Sequence, residues 1–158
     1  MKLHIDGWQT NLRFSAAHFI PEHDKCSRLH GHDYGIKLSL EGEVKEGILA
    51  DFGVIKRNMR ELIAPLDHKL LLPSRMKYSK YEIKDDYVHI SYGEVRMTIP
   101  EQFVAFVDTQ TTSSEELSVY LGTKLMNALK DEKNVKTLWL SVQEGPGQGA
   151  EWSGHFDH

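Results

Sequence analysis

Two stretches of alternating polarity flank a single polar loop, and together they constrain the fold more than any other feature of the chain. Residues 11–19 place Leu12, Phe14, Ala16 and His18 on one parity. Residues 32–43 place Tyr34, Ile36, Leu38 and Leu40 on one parity. A period of two marks a strand with one buried face. The segment between them, 20–31, is polar and carries Pro21 and Gly31. The two strands are therefore expected to pair as an antiparallel hairpin around that loop.

The rest of the chain adds helices and further strands. Asp51 is placed to cap a helix over 52–64, where Ile55, Met59, Leu62 and Ile63 recur at helical spacing and Pro65 ends the run. Residues 66–73 read as a short irregular connector. Residues 79–108 read as β structure, with turns at Lys84-Asp85-Asp86 and Tyr92-Gly93-Glu94. A second helix begins at Thr-Thr-Ser-Ser-Glu-Glu (111–116), which supplies hydroxyl caps and two acids for the first turn. Leu117, Tyr120, Leu121, Lys124, Leu125 and Ala128 give it one mostly apolar face. A last strand spans 135–144, followed by Gly-Pro-Gly-Gln-Gly. The order predicts an α+β class, an antiparallel sheet with helices gathered on one face, in one domain over residues 1–158. Its open face and edges are expected to be covered by copies of the same chain.

Bulk composition narrows the function classes. The net charge is −4, which argues against a broad basic nucleic-acid face. No apolar run approaches the ~18 residues of a membrane span, and the N-terminus has no apolar signal core. The single cysteine, Cys26, forbids an internal disulfide and fits a reducing, cytoplasmic compartment. Of the nine histidines, His155 and His158 are expected to be exposed in a C-terminal tail.

The sharpest local signal is Cys26-Ser-Arg-Leu-His30-Gly-His32. His30 and His32, two apart, point the same way in an extended strand, and their parity matches that of His18. The hairpin can bring these three imidazoles together. Three imidazoles with an open fourth position is the catalytic zinc pattern. Cys26 sits between Lys25 and Arg28, whose charges favour a thiolate base or nucleophile; it is alternatively a fourth metal ligand. Asp67 precedes His68, and a carboxylate beside an imidazole can orient it, although neighbouring side chains often point apart. Glu144 shares the parity of Leu138, Leu140 and Val142. A carboxylate on that face is either partnered by paired N–H donors or turned out to solvent. Ser113 and Ser114 cap the second helix, whose N-terminus also suits a polar ring edge.

These residues resemble the 6-pyruvoyl-tetrahydropterin synthase family, and within it the 6-carboxytetrahydropterin synthases of 7-deazaguanine (queuosine and archaeosine) biosynthesis. The likeness runs from about Leu12 to Glu144. It is carried by Phe-Ser-Ala-Ala-His (14–18), Cys-x-x-x-His-Gly-His (26–32), Ala-Asp-Phe-Gly-Val-Ile-Lys (50–56), Pro-Leu-Asp-His (65–68), Thr-Ser-Ser-Glu-Glu-Leu (112–117) and Val-Gln-Glu-Gly (142–145). The resemblance implies a tunnelling fold, a four-stranded antiparallel sheet with two helices on one side. It also implies trimers paired into a homo-hexamer with active sites between subunits. His18, His30 and His32 match zinc ligands and Cys26 the catalytic thiol. Asp67 and His68 match the partner dyad for a second proton. Glu144 matches the acid that anchors the pterin ring, and Ser113 and Ser114 match the hydroxyl pair beside it. The implied substrate is 7,8-dihydroneopterin triphosphate, and the implied products are 6-carboxytetrahydropterin, acetaldehyde and triphosphate.

The short Cys-to-His-Gly-His gap resembles the carboxy-type enzymes; the pyruvoyl-type, which eliminate triphosphate without cleaving the side chain, have a longer one. Cys26 argues against a third branch that carries glutamate there and acts as an aldolase. A non-catalytic zinc-stabilised assembly protein is a further rival. Residues 74–108 exceed the compact members and read as an extra β insertion that covers the site or extends an interface.

Overall fold

The computed structural model describes residues 1–158. The chain begins with β1 (Lys2–Asp6), a one-turn helix α1 (Gly7–Thr10), β2 (Arg13–His18) and the long β3 (His30–Gly42). β2 and β3 form the expected antiparallel hairpin. β1 pairs with the far half of β3, so β1 and β2 share one edge of it, interrupted by α1. Asp6 accepts from the Trp8 amide and Asn11 closes the turn in the left-handed region.

Helix α2 (Phe52–Ile63) starts where the Asp51 carboxylate accepts from the Gly53 and Val54 amides at 2.6 and 3.3 Å. It buries Ile55, Met59 and Ile63. Helix α3 (Ser114–Ala128) is capped by Ser113, carries Glu115 and Glu116 in its first turn, and buries Leu117, Leu121 and Leu125. Both helices pack on the even-numbered face of β3 and of β9 (Val135–Glu144), where Ile36, Leu38, Leu40, Leu138, Leu140 and Val142 complete the main core. The sheet runs β10-β9-β3-β2-β4-β8, with β4 over Lys69–Pro73, β8 over Val104–Val107 and β10 over Gly149–His155.

Two sequence expectations need correction. Residues 69–73 are not irregular: β4 lies parallel to both β2 and β8, so the sheet is mixed and has seven strands. Leu70, Leu71 and Leu72 are all buried, as in a strand covered on both faces, and such a run shows no alternation for a period of two to detect. The C-terminal tail is also a strand, with His155 and His158 exposed as the sequence predicts. β10 pairs with β9, and the His155 ring lies 3.1 Å from the Thr137 hydroxyl.

The inserted segment forms its own antiparallel sheet of β5 (Lys80–Lys84), β6 (Tyr87–Tyr92) and β7 (Val95–Pro100). Asp85 and Asp86, both at positive φ, make the first turn as the sequence predicts. Val88 and Ile90 from β6 join Phe19, Leu70 and Leu72 in a second core. Burying each such aliphatic side chain stabilises by roughly 1.5–3 kcal/mol, enough to hold the insertion against the main sheet.

Candidate metal centre and active site

Strand register places the three histidines. His18 lies opposite His30 and Ala16 opposite His32, so all three rings stand on the helix-bearing face at one end of the hairpin. A Cβ on Gly31, between the two histidines, would come within 2.9 Å of the Ala16 carbonyl oxygen. Glycine there lets β2 and β3 approach closely enough for the rings to meet.

The ring nitrogens converge. One nitrogen from each of His18, His30 and His32 lies within 4.8 Å of the others. His18 Nδ1 is 2.9 Å from the Thr112 carbonyl oxygen, and His30 Nδ1 is 2.6 Å from that of Arg28. A carbonyl only accepts, so each Nδ1 carries the proton and each Nε2 is left with a bare lone pair. Those two Nε2 atoms face one another at 3.1 Å, an arrangement that a cation between them would make favourable. His32 Nε2 is buried with no hydrogen-bond partner. Two lone pairs aimed at one point, with the opposite ring nitrogens held by carbonyls, is how metal-binding histidines are oriented. These residues fit a metal ion.

Burial is the largest effect on His18. With the charges of His30 and His32 acting the same way and the Thr112 carbonyl opposing, it pushes the pKa from 6.5 down to about 4. His18 is therefore neutral near pH 7, the form that ligates. The unfolded chain takes up this proton near pH 6.5 and the folded chain only near 4, so protons favour unfolding between those limits. Metal-free protein is expected to keep the full contribution above about pH 6.5. It should lose roughly 3 kcal/mol as the pH falls toward 4. Urea titrations across that window check this; a flat profile would show that His18 is not held neutral.

Glu144 ends β9 opposite Tyr34 and turns toward the rings, not to solvent. Its carboxylate oxygens lie 3.9 Å from His18 Nε2 and 3.7 Å from His32 Nε2. The segment leading into α3 is tied to the same place by the Thr112 carbonyl. Ser113 Oγ accepts from the Glu116 amide and from the Thr111 hydroxyl, and Ser114 lies half-buried in the first turn.

Cys26 sits half-buried in a single 3-10 turn, Lys25–Ser27, within the loop joining β2 to β3. Its sulfur does not belong to the converging ligand cluster. Asp67 and His68 do meet: Asp67 Oδ2 is 2.9 Å from His68 Nδ1, because His68 takes a left-handed φ of 58° that brings its ring to the carboxylate. Asp67 Oδ1 also accepts from the Ser15 amide at 2.9 Å. Burial raises the Asp67 pKa, but the Ser15 amide and the His68 ring outweigh it and hold it below the usual carboxylate value.

The dyad opens away from the triad. His68 is largely exposed, at 81%, beside a concavity of about 680 Å³ whose lining includes Ser15, Ala17, Gly31 and Asp33 and also reaches Ala16 and His32. Ser15, Ala17, Gly31 and Asp33 are the odd-numbered, outward set of β2 and β3, opposite in parity to the three histidines.

Two residues at the site were not singled out from the sequence. Thr112 meets His18 Nδ1 with both its carbonyl oxygen and its hydroxyl, at 2.9 and 3.3 Å, and a threonine in a helix-capping run gives no signal of that contact. Tyr34 is fully buried beside the rings, stacked on Phe14 with centroids 4.9 Å apart, and its hydroxyl has no partner. Burial, with the Glu144 charge, pushes its pKa up.

The family described as 6-pyruvoyl tetrahydropterin synthase matches residues 9–155. A relative from Methanocaldococcus jannaschii, with the provisional name 6-carboxy-5,6,7,8-tetrahydropterin synthase, is 34% identical over 155 residues, spanning 95% of this chain and 94% of the relative. A similarly named Halobacterium salinarum protein is 39% identical over 91% of this chain and 83% of its own length. The crystal structure of the Plasmodium vivax 6-pyruvoyl tetrahydropterin synthase superposes with a TM-score of 0.89 at 25% identity, covering 99% of this chain, inserted sheet included, and 98% of that one. This chain belongs to the 6-pyruvoyl tetrahydropterin synthase family.

Proposed function

We propose that this chain is a zinc-dependent 6-carboxy-5,6,7,8-tetrahydropterin synthase of 7-deazaguanine biosynthesis, acting on 7,8-dihydroneopterin triphosphate. The observation that carries the reading is the convergence of three ring nitrogens, two of them oriented by carbonyls, beside the Glu144 carboxylate. The names of the archaeal relatives support the carboxy branch. The overall reaction balances with one water consumed, giving 6-carboxytetrahydropterin, acetaldehyde and triphosphate.

His18, His30 and His32 would hold the zinc, which when bound polarises the substrate's side-chain oxygens and acidifies the adjacent C–H bond. Cys26 Sγ takes a side-chain proton as the base. His68 Nε2 carries the second proton, with Nδ1 fixed by Asp67. Glu144 accepts paired N–H donors from the pterin ring, and Ser113 and Ser114 hold the ring edge at the N-terminus of α3.

The dyad faces the outer side of the sheet and the triad the helix side. His68 therefore serves the triad of another copy, which supports a homo-oligomer, a hexamer of paired trimers, with sites between subunits. The unpaired edges of β10 and β8 are available for such assembly.

The reading is tested by acetaldehyde release from 7,8-dihydroneopterin triphosphate. In the same assay Glu144→Gln is expected to keep its metal and to raise KM by about 10- to 100-fold, matching the ~1.5–3 kcal/mol of hydrogen bonds to a charged group. Loss of metal from this variant would make Glu144 a ligand instead.

A further inference from the structure

The loop that carries Cys26 is held from a direction the catalytic residues do not explain. Three successive carbonyls, Cys26 to Arg28, each have a separate partner. The Ile20 amide donates to the Cys26 carbonyl at 2.7 Å, the Tyr92 hydroxyl to that of Ser27, and His30 Nδ1 to that of Arg28 at 2.6 Å. Only Tyr92 comes from the inserted sheet, and its bond is the one hydrogen bond between that sheet and this loop.

The hydroxyl is itself well placed. Tyr92 ends β6, and its ring stacks on Phe19, at the loop's start, with centroids 4.7 Å apart and planes 14° from parallel. Phe19 is buried with Val88 and Ile90 of the same strand. The phenol thus rests on a packed base and does not swing freely. Burial pushes its pKa up, so it remains a donor near neutral pH.

We infer that Tyr92 is a positioning residue: the inserted sheet presents its hydroxyl to fix the Cys26–Arg28 backbone, setting the thiol in register with the His30 ring. The segment it grips has the thiol at one end and, at the other, the carbonyl that orients a metal-site imidazole. Loosening it lets the thiol wander while His18 and His32, fixed on their strands, keep their places. The inserted sheet thereby acts as a wall behind the loop. The consequence for turnover rests on the reading of Cys26 as the base; the clamp itself does not.

Because Cys26 is the only cysteine, alkylation of the intact protein by iodoacetamide reports on this loop alone. Tyr92→Phe removes the hydroxyl and keeps the stacked ring. It is expected to speed Cys26 alkylation about fivefold, the equivalent of a ~1 kcal/mol hydrogen bond. Amide exchange at Ile20 and Ser27 should accelerate similarly while β9 stays unchanged, with zinc content preserved. On 7,8-dihydroneopterin triphosphate, kcat should fall by a like factor with KM unmoved. Tyr92→Leu, which also removes the stack, should go further in the same direction. If Tyr92→Phe matches the parent in alkylation and exchange and only Tyr92→Leu departs from it, the sheet acts through packing alone and the clamp is wrong. Alkylation and exchange decide the clamp whether or not any pterin is turned over, so the two readings fail separately.

Discussion

His30→Ala is expected to give a folded protein that no longer holds stoichiometric metal and turns over its substrate at least ~10³-fold more slowly, the scale of losing a Lewis acid worth several kcal/mol. The expectation follows from the geometry of the pair. His30 Nε2 faces His18 Nε2 at 3.1 Å, and without His30 only His18 and His32 of the converging cluster remain. His30 is half-buried at the start of β3, and its removal empties no core position, so folding should survive. Metal analysis of the purified variant checks the first half and single-turnover kinetics the second. A variant that kept one metal per chain would show that the ion is held elsewhere.

Cys26→Ala should separate metal binding from chemistry. The thiol lies outside the converging cluster, so the variant should retain its full metal content. Loss of a general base typically costs ~10²–10⁴-fold, and kcat should fall by that order with little change in KM. Metal departing together with the thiol would make Cys26 a ligand. Unchanged turnover would show that another group is the base, whereas a non-catalytic zinc-stabilised assembly protein would turn over no substrate with or without the thiol.

The hairpin was legible because its information is local. Alternation in 11–19 and 32–43 fixes the buried face of each strand, and His18, His30 and His32 fall on it by parity alone. Both helices were legible from their caps and spacing, Asp51 and Ser113 doing in the structure what their residue types predict. β4 was not, because Leu70–Leu72 is buried on both faces and carries no period. β10 was not, because its side chains alternate between half-buried and exposed and the segment lacks an apolar run. The Asp67–His68 contact depends on a left-handed φ at a non-glycine residue, which sequence does not announce. Its position on the outer face follows only once β4 is known to lie beside β2. Thr112 shows the same limit in another form, since its contact with His18 joins residues far apart in sequence.

The sequence of the insertion marks β structure and leaves its place open between covering the site and extending an interface. Its packing against Phe19 and β4 puts it against the Cys26 loop, which is a matter of long-range contacts between Val88, Ile90 and residues far off in sequence.

Mass spectrometry of the pterin formed when the zinc-loaded protein is incubated with 7,8-dihydroneopterin triphosphate decides between the two synthase reactions. The expected product is 6-carboxytetrahydropterin, with acetaldehyde in equal amount. A 6-pyruvoyl product, or an unchanged substrate with the metal site filled, would contradict it.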